Sequence, residues 1–212
     1  YAILFFPLRY LRLSSGKKKV YLTGIILLIW CYALLTGFSP SVVRAATMFS
    51  LFTAGQMRER RPSAFNILAF SAILMIAFDP GVIFEIGFQL SYLAVAGILA
   101  LQPLIVRWWL PPNRFLEYFW QLAAVSIAAQ LATFPISAYY FHVFPTYFAI
   151  ANLVAIPGAF LMMAFGVPLM LLIKVPYVSL ALAWFTEKLI ILVNSLVFWF
   201  QQLPGSRISD IY

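Results

Sequence analysis

Long apolar runs alternate with short polar or proline-containing segments along the whole chain. Most runs approach or exceed about 20 residues, the length that an α-helix needs to cross the hydrocarbon core of a bilayer. They lack the alternating pattern that is typical of a transmembrane β-strand. The end of a first helix is predicted over residues 1–13. Seven full spans are predicted over residues 20–38, 41–57, 63–78, 82–106, 115–133, 147–173 and 177–203.

This pattern predicts an all-α fold, a polytopic transmembrane helical bundle with about seven full spans and a partial first helix. The composition agrees, because 64% of the 212 residues are hydrophobic and only 9% are charged, whereas soluble domains have about 25% charged residues. A soluble enzyme, a disordered segment and a coiled coil are thereby excluded. We expect one transmembrane domain over residues 1–212, belonging to a longer protein, because the chain begins at Tyr1 rather than Met and ends in a polar segment.

The positive charges predict the orientation of the spans. The net charge is +8, from fourteen Lys and Arg against six Asp and Glu. Cytoplasmic loops of membrane proteins carry an excess of Lys and Arg. The basic connections are residues 14–19, 58–62 and 107–114 and Lys174. They alternate along the chain with poorly basic connections at 39–40, 79–81 and 134–146. We therefore place the basic connections in the cytoplasm and the C-terminus on the extracytoplasmic side.

One ionisable residue, Arg44, lies a single turn into the second predicted span. A charge within hydrocarbon costs roughly 2.5–3.5 kcal/mol or more unless it is paired or hydrated. Glu85 and Gln89 are four residues apart, share a helical face and lie at a similar predicted depth, so Arg44 is expected to pair with Glu85 or Asp79. The alternative is that Arg44 extends to the outer interface. A polar cavity near the outer surface is favoured, since intramembrane charge usually marks a functional site.

Further polar residues recur at helical spacing in later spans. Ser126, Gln130 and Thr133 follow at intervals of four and three, and Asn152 begins a span. Such groups often only form hydrogen bonds between helices, each worth about 0.6 kcal/mol. These residues are therefore compatible with two interpretations, ordinary helix packing and a hydrated interior. The candidate substrate path consists of Arg44, Glu85, Gln89, Ser91, Gln130, Thr133, Asn152 and Asn194.

Glycine and proline residues mark candidate broken or re-entrant helices at Pro135, Pro157, Pro168 and around Gly87. Non-helical backbone at membrane depth occurs only where protein or a water-filled cavity satisfies it, and discontinuous helices often mark transport sites. Kinks in an ordinary bundle are the alternative, since Gly and Pro are common in transmembrane helices.

No catalytic or cofactor-binding motif is present: GxSxG, HExxH, Walker A and CxxC patterns are all absent. The chain has a single histidine, His142, and a single cysteine, Cys31, which leaves too few ligands for a His- or Cys-based metal site. We therefore expect no enzyme activity, no catalytic residues, no metal and no cofactor.

Three segments resemble the ComEC competence-protein family. Residues 37–46, GFSPSVVRAA, are similar to its G-x-S-x-S-V-x-R-A segment, and residues 87–94, GFQLSYLA, to its G-F-Q-L-S-[FY]-x-A segment. Residues 152–157, NLVAIP, are similar to its N-L-x-A-I-P segment. The three occur in the order found in the family and extend over most of the chain.

The resemblance implies a channel domain that carries single-stranded DNA across the bacterial cytoplasmic (inner) membrane during natural transformation, together with a DNA receptor and uptake machinery. It also implies an extracytoplasmic OB-like domain and a metallo-β-lactamase-like domain elsewhere in the longer protein, and it assigns no metal or nuclease residue to this chain. The residues alone leave two alternatives: a transporter of a small or lipid-linked solute, and a structural membrane subunit.

Overall fold

The computed structural model describes residues 15–57, 63–203 and 207–209. Within these ranges the chain is almost entirely helical, which confirms the all-α class. A 3-10 helix, Pro80–Phe84, precedes the fourth α-helix, and two short strands are present, β1 (Val143–Pro145) and β2 (Arg207–Ser209). The α-helices are α1 (Ser15–Leu35), α2 (Pro40–Met57), α3 (Ala64–Phe78), α4 (Ile86–Val106), α5 (Arg114–Phe141), α6 (Phe148–Leu171) and α7 (Pro176–Gln202).

Each of the seven predicted spans corresponds to one of these helices. Five are long and apolar enough to cross a membrane, namely α1, α4, α5, α6 and α7. The other two, α2 and α3, have 18 and 15 residues and rise about 27 and 22 Å, against a hydrocarbon core of about 30 Å. The chain is therefore a multi-pass membrane protein, with five described helices that meet the length and composition of a full span.

One predicted connection differs from the structure. The basic segment 14–19 is expected to be a loop, but α1 already begins at Ser15, which is compatible with the three consecutive lysines because lysine is a good helix former. The partial first helix over residues 1–13 and the basic connection 58–62 lie outside the described residues.

Most of the candidate helix breaks are wrong. Helix α5 continues through Pro135 to Phe141 instead of ending near residue 133, and α6 continues through Pro157 and Pro168. Proline removes one N–H and frees the carbonyl four residues earlier, and membrane helices tolerate this when neighbouring groups satisfy that carbonyl. At the Gly87 region, in contrast, the 3-10 helix ends at Phe84 and α4 begins afresh.

The chain divides into two compact units, residues 1–99 and 100–212. In the first unit, α1 packs against α2 and α2 against α3. Its buried apolar cluster joins α3, the 3-10 helix and the start of α4 through Leu68, Val82, Phe88 and Tyr92. That both units belong to one transmembrane domain stays a prediction from the sequence.

In the second unit, α5 packs against α6 and α6 against α7. Strand β1 pairs antiparallel with β2, with Val143 opposite Ser209. This pairing joins the connection between α5 and α6 to the segment after α7, so both lie at the same end of the unit. The charge pattern of the sequence predicts that these two segments share one side of the membrane, and the strand pairing agrees with that placement.

Candidate functional site

The junction that leads into α4 is held by side-chain hydrogen bonds. Asp79 Oδ1 accepts a hydrogen bond from the Gly81 N–H at 2.9 Å, which begins the 3-10 helix. Gln89 Nε2 donates to the Ile83 carbonyl at 2.9 Å and so ties the first turn of α4 back to the 3-10 helix. Between the two helices, Glu85 has an extended backbone (φ −70°, ψ 123°). The start of α4 is therefore fixed in direction relative to the preceding turn.

Arg44, in the second turn of α2, is buried in the first unit with 7% of its surface exposed. Its Nε and Nη1 atoms are buried and have no hydrogen-bond partner among the described residues. The guanidinium lies against Gly87, where an added Cβ would be 3.4 Å from Nη2 and 3.9 Å from Nη1. The contact joins the second turn of α2 to the first turn of α4.

Neither of the expected ion pairs of Arg44 is formed within the described part of the chain. The side chains of Asp79 and Glu85 are exposed and line an apolar cavity of about 580 Å³ that also contacts α1, α2 and α3. Asp79 is held by its hydrogen bond to Gly81. Glu85 lies in the extended segment immediately before α4, and its carboxylate forms no ion pair with Arg44. The expectation of a direct Arg44 pair is therefore wrong for both carboxylates.

A buried hydroxyl pair joins α3 to the second turn of α4. Tyr92 donates its phenolic hydrogen to Ser71 Oγ at 3.2 Å, and the Ser71 hydroxyl donates to the Leu68 carbonyl at 2.8 Å. The Tyr92 ring packs on the ring of Phe88, the residue after Gly87, with 4.3 Å between the ring centroids. Sequence reasoning missed Ser71 and Tyr92 as members of this site. The available signals were a serine within the otherwise apolar α3 and the position of Tyr92 in the second motif.

The other predicted site residues are divided between the two units. In the first unit, Ser91 is partly buried and donates to the Phe88 carbonyl at 3.0 Å. In the second unit, Thr133 donates to the Ala129 carbonyl at 2.9 Å. The remaining three residues are also in the second unit. Gln130 and Asn152 are partly buried, and Asn194 is exposed.

One further polar group in the second unit has unusual surroundings. Ser126, on α5, is 5% exposed, and its Oγ atom has no hydrogen-bond partner among the described residues. Its helix neighbours Ala124 and Ala128 are fully buried, because small side chains allow close helix packing. The polar series on α5 thus begins at a buried position, and its members occupy one continuous helix.

The described residues contain no group of three or more His, Cys, Asp and Glu side chains that could hold a metal ion.

Comparison with known proteins relates the chain to competence proteins. A family model described as "Competence protein" matches residues 1–210. The ComE operon protein 3 of Bacillus subtilis (strain 168) is 32% identical over 192 residues, which cover 88% of this chain and 23% of that protein.

No solved structure matches the chain. The family match extends over nearly all of the sequence, including the segments around Arg44, Gly87 and Asn152 that carry the resemblance. The chain therefore belongs to the Competence protein family.

Proposed function

We propose that this chain is the membrane channel of a DNA-uptake protein and carries single-stranded DNA across the bacterial cytoplasmic membrane during natural transformation. The observation that carries the proposal is the family match over residues 1–210, in a chain whose described helices include five of membrane-spanning length. The transport step involves no covalent chemistry, so the channel acts without catalytic residues. Its basic connections face the cytoplasm, and the C-terminus of the chain faces outward.

We propose that neutral polar side chains line most of the path. A strand that carries one negative charge per nucleotide must bind weakly enough at each point to move on, as conduction generally requires. Neutral amide and hydroxyl groups offer hydrogen bonds without strong attraction. The candidates are the partly buried Gln89, Ser91, Gln130, Thr133 and Asn152 and the exposed Asn194, with Arg44 as the single buried cation among the described residues.

The proposed partners are those that the family resemblance implies. The matched residues cover 23% of the length of the Bacillus subtilis protein, so most of that protein lies outside the match. We propose that the channel acts with an extracytoplasmic OB-like domain and a metallo-β-lactamase-like domain of the same longer protein, and with a DNA receptor and its uptake machinery.

Crosslinking to a DNA strand stalled in transit tests this path. In a background with Cys31→Ser, single cysteines replace Gln89, Gln130 or, as a control, Leu28, whose side chain is 56% exposed on α1. A bulky protein bound to the trailing end of the DNA stalls the strand. Crosslinks at Gln89 and Gln130 but not at Leu28 support the proposal. Equal crosslinking at all three positions, or none in cells that still transform, contradicts the proposed path.

A further inference from the structure

Arg44 is a buried cation for which no described side chain supplies a counter-ion. It is 7% exposed, and its Nε and Nη1 atoms have no partner among the described residues. The carboxylates of Asp79 and Glu85 line a cavity whose walls do not include Arg44. A guanidinium has five N–H donors and keeps its charge in proteins. A buried charge without a partner is strongly unfavourable, so the position of Arg44 requires an anion from elsewhere.

The first turn of α4 adds a second group of unpaired donors. The first backbone hydrogen bond of this 21-residue helix runs from the Gln89 N–H to the Glu85 carbonyl at 3.1 Å. The N–H groups of Ile86, Gly87 and Phe88 precede that bond and have no partner within the helix. A helix N-terminus carries about half a positive charge, so the guanidinium and this helix end repel each other unless an anion binds both.

Gly87 allows the two positive groups to converge. An added Cβ at Gly87 would lie 3.4 Å from Nη2, which is close to the limit of ordinary contact. Gly87 itself is exposed, so the N–H groups of this turn are reachable from outside the unit. The same residue that lets the guanidinium approach the backbone therefore also leaves the helix end open to a ligand.

We infer that Arg44 and the first turn of α4 together form a binding site for a phosphate-type anion. The planar guanidinium fork matches two oxygens of a phosphate group, and helix N-termini bind phosphates through their free N–H groups. In this proposal, which rests on the proposed function, the ligand is a phosphodiester of the passing DNA strand. An anionic lipid headgroup presents the same chemistry and is distinguished from DNA by experiment.

Inorganic phosphate is the first probe, applied to the full-length natural protein in a neutral detergent. The melting temperature is measured with rising phosphate and, for comparison, with chloride at equal ionic strength. A ligand that binds only the folded state raises the melting temperature by an amount that grows with the logarithm of the ligand concentration once this exceeds Kd. The wild type should show such a phosphate-specific increase, and it should be absent in Arg44→Gln. If Arg44→Gln does not fold, Arg44→Lys and Gly87→Ala should each show a weakened increase.

Two matched variants control for charge. Arg114→Gln removes an exposed arginine at the start of α5, and Glu117→Gln removes an exposed carboxylate in the first turn of the same helix. Both should keep the phosphate-dependent increase. A loss in Arg114→Gln as large as in Arg44→Gln, or a full increase in Arg44→Gln, overturns the site. Loss of the increase in Glu117→Gln overturns it as well, because the response would then not depend on the α4 site.

Oligonucleotide binding in lipid nanodiscs identifies the source of the phosphate. Charge-assisted hydrogen bonds of this kind are typically worth tenfold or more in affinity, so Arg44→Gln should bind single-stranded DNA at least about tenfold more weakly. The slope of log affinity against log salt should become shallower by about 0.7, the value for one phosphate of a single strand. An uncharged methylphosphonate oligonucleotide should bind both proteins equally.

Nanodiscs with and without phosphatidylglycerol complete the test. If the difference in DNA affinity between the wild type and Arg44→Gln persists in nanodiscs with phosphatidylglycerol, DNA binds the site in an anionic membrane. If that difference is present only in nanodiscs without phosphatidylglycerol, the lipid headgroup occupies the site, and this overturns DNA as the ligand. A phosphate response that depends on Arg44, in a protein that transports no DNA, supports the anion site and contradicts the proposed function. DNA transport with an unchanged salt slope in Arg44→Gln supports the function and overturns the site.

Discussion

In the second unit, Gly158 of α6 lies tightly against Val193 of α7, and this contact gives a quantitative prediction. Gly158 is fully packed, and Val193 is 8% exposed. Replacing Gly158 by alanine adds one methyl group at the contact between the two helices. We expect Gly158→Ala to destabilise the protein, although alanine is otherwise the better helix former.

The distances set the magnitude. A Cβ at Gly158 would lie 2.6 Å from Val193 Cγ2 and 3.3 Å from Cγ1, whereas carbon atoms pack at about 3.5–4.0 Å. Rotation gives no relief, because valine in a helix strongly prefers one χ1 rotamer and both methyl groups face the glycine. The helices must then separate by about 1 Å. Such overpacking typically costs about 1–3 kcal/mol, against which the higher helix propensity of alanine returns up to about 1 kcal/mol.

Gly166→Ala is the matched control, since Gly166 lies in the same helix and an added Cβ there has no atom within 4 Å. Unfolding of the full-length protein is measured in mixed micelles by tryptophan fluorescence. The free energy of unfolding of Gly158→Ala should be about 1–3 kcal/mol lower than that of Gly166→Ala. Adding Val193→Ala should restore stability to Gly158→Ala, with a coupling energy within the range of about 0.5–3 kcal/mol usual for contacting residues. Equal stability of the two alanine variants, or no coupling to Val193, would refute the packing described for α6 and α7.

Three further predictions concern the hydroxyl pair, the topology and Arg44. Tyr92→Phe loses the 3.2 Å hydrogen bond to Ser71 and should lower the free energy of unfolding by about 0.5–1.5 kcal/mol, and an unchanged value would show that the bond contributes nothing. A cysteine at Asn113 should react with an impermeant reagent from the cytoplasm and one at Ser206 from outside; reaction of both from one side contradicts the topology. Arg44→Ala should abolish DNA uptake at near-normal membrane abundance, with partial uptake in Arg44→Lys, whereas wild-type uptake in Arg44→Ala would exclude a role for this residue.

The helices were predictable because their signal is local. The length of its apolar run predicts the last span over 177–203 despite Glu187 and Lys188 within it, and α7 runs from Pro176 to Gln202. The error at α5 has an equally simple cause. The sequence makes Pro135 a candidate helix break. Whether a proline ends a membrane helix depends on which neighbouring groups satisfy the carbonyl that it frees. The local sequence does not specify those neighbours.

The candidate site was only partly predictable. Arg44 is evident as a charge in an apolar run, and Gly87 opens the second motif. Their contact depends on how α2 packs against the start of α4, which is a non-local property. Glu85 and Asp79 are both candidate partners by their predicted depth, but an ion pair depends on how α2 packs against the segment before α4, which spacing along the sequence does not define.

Passage of DNA through reconstituted protein tests the central claim most directly. The full-length protein is inserted into liposomes that contain a single-strand-binding protein as a trap, and labelled single-stranded DNA is added outside. After nuclease digestion of the external DNA, the account predicts labelled strands protected inside the vesicles, and none in protein-free vesicles. Vesicles that admit a small solute but no DNA strand would contradict the account and indicate a transporter of small solutes.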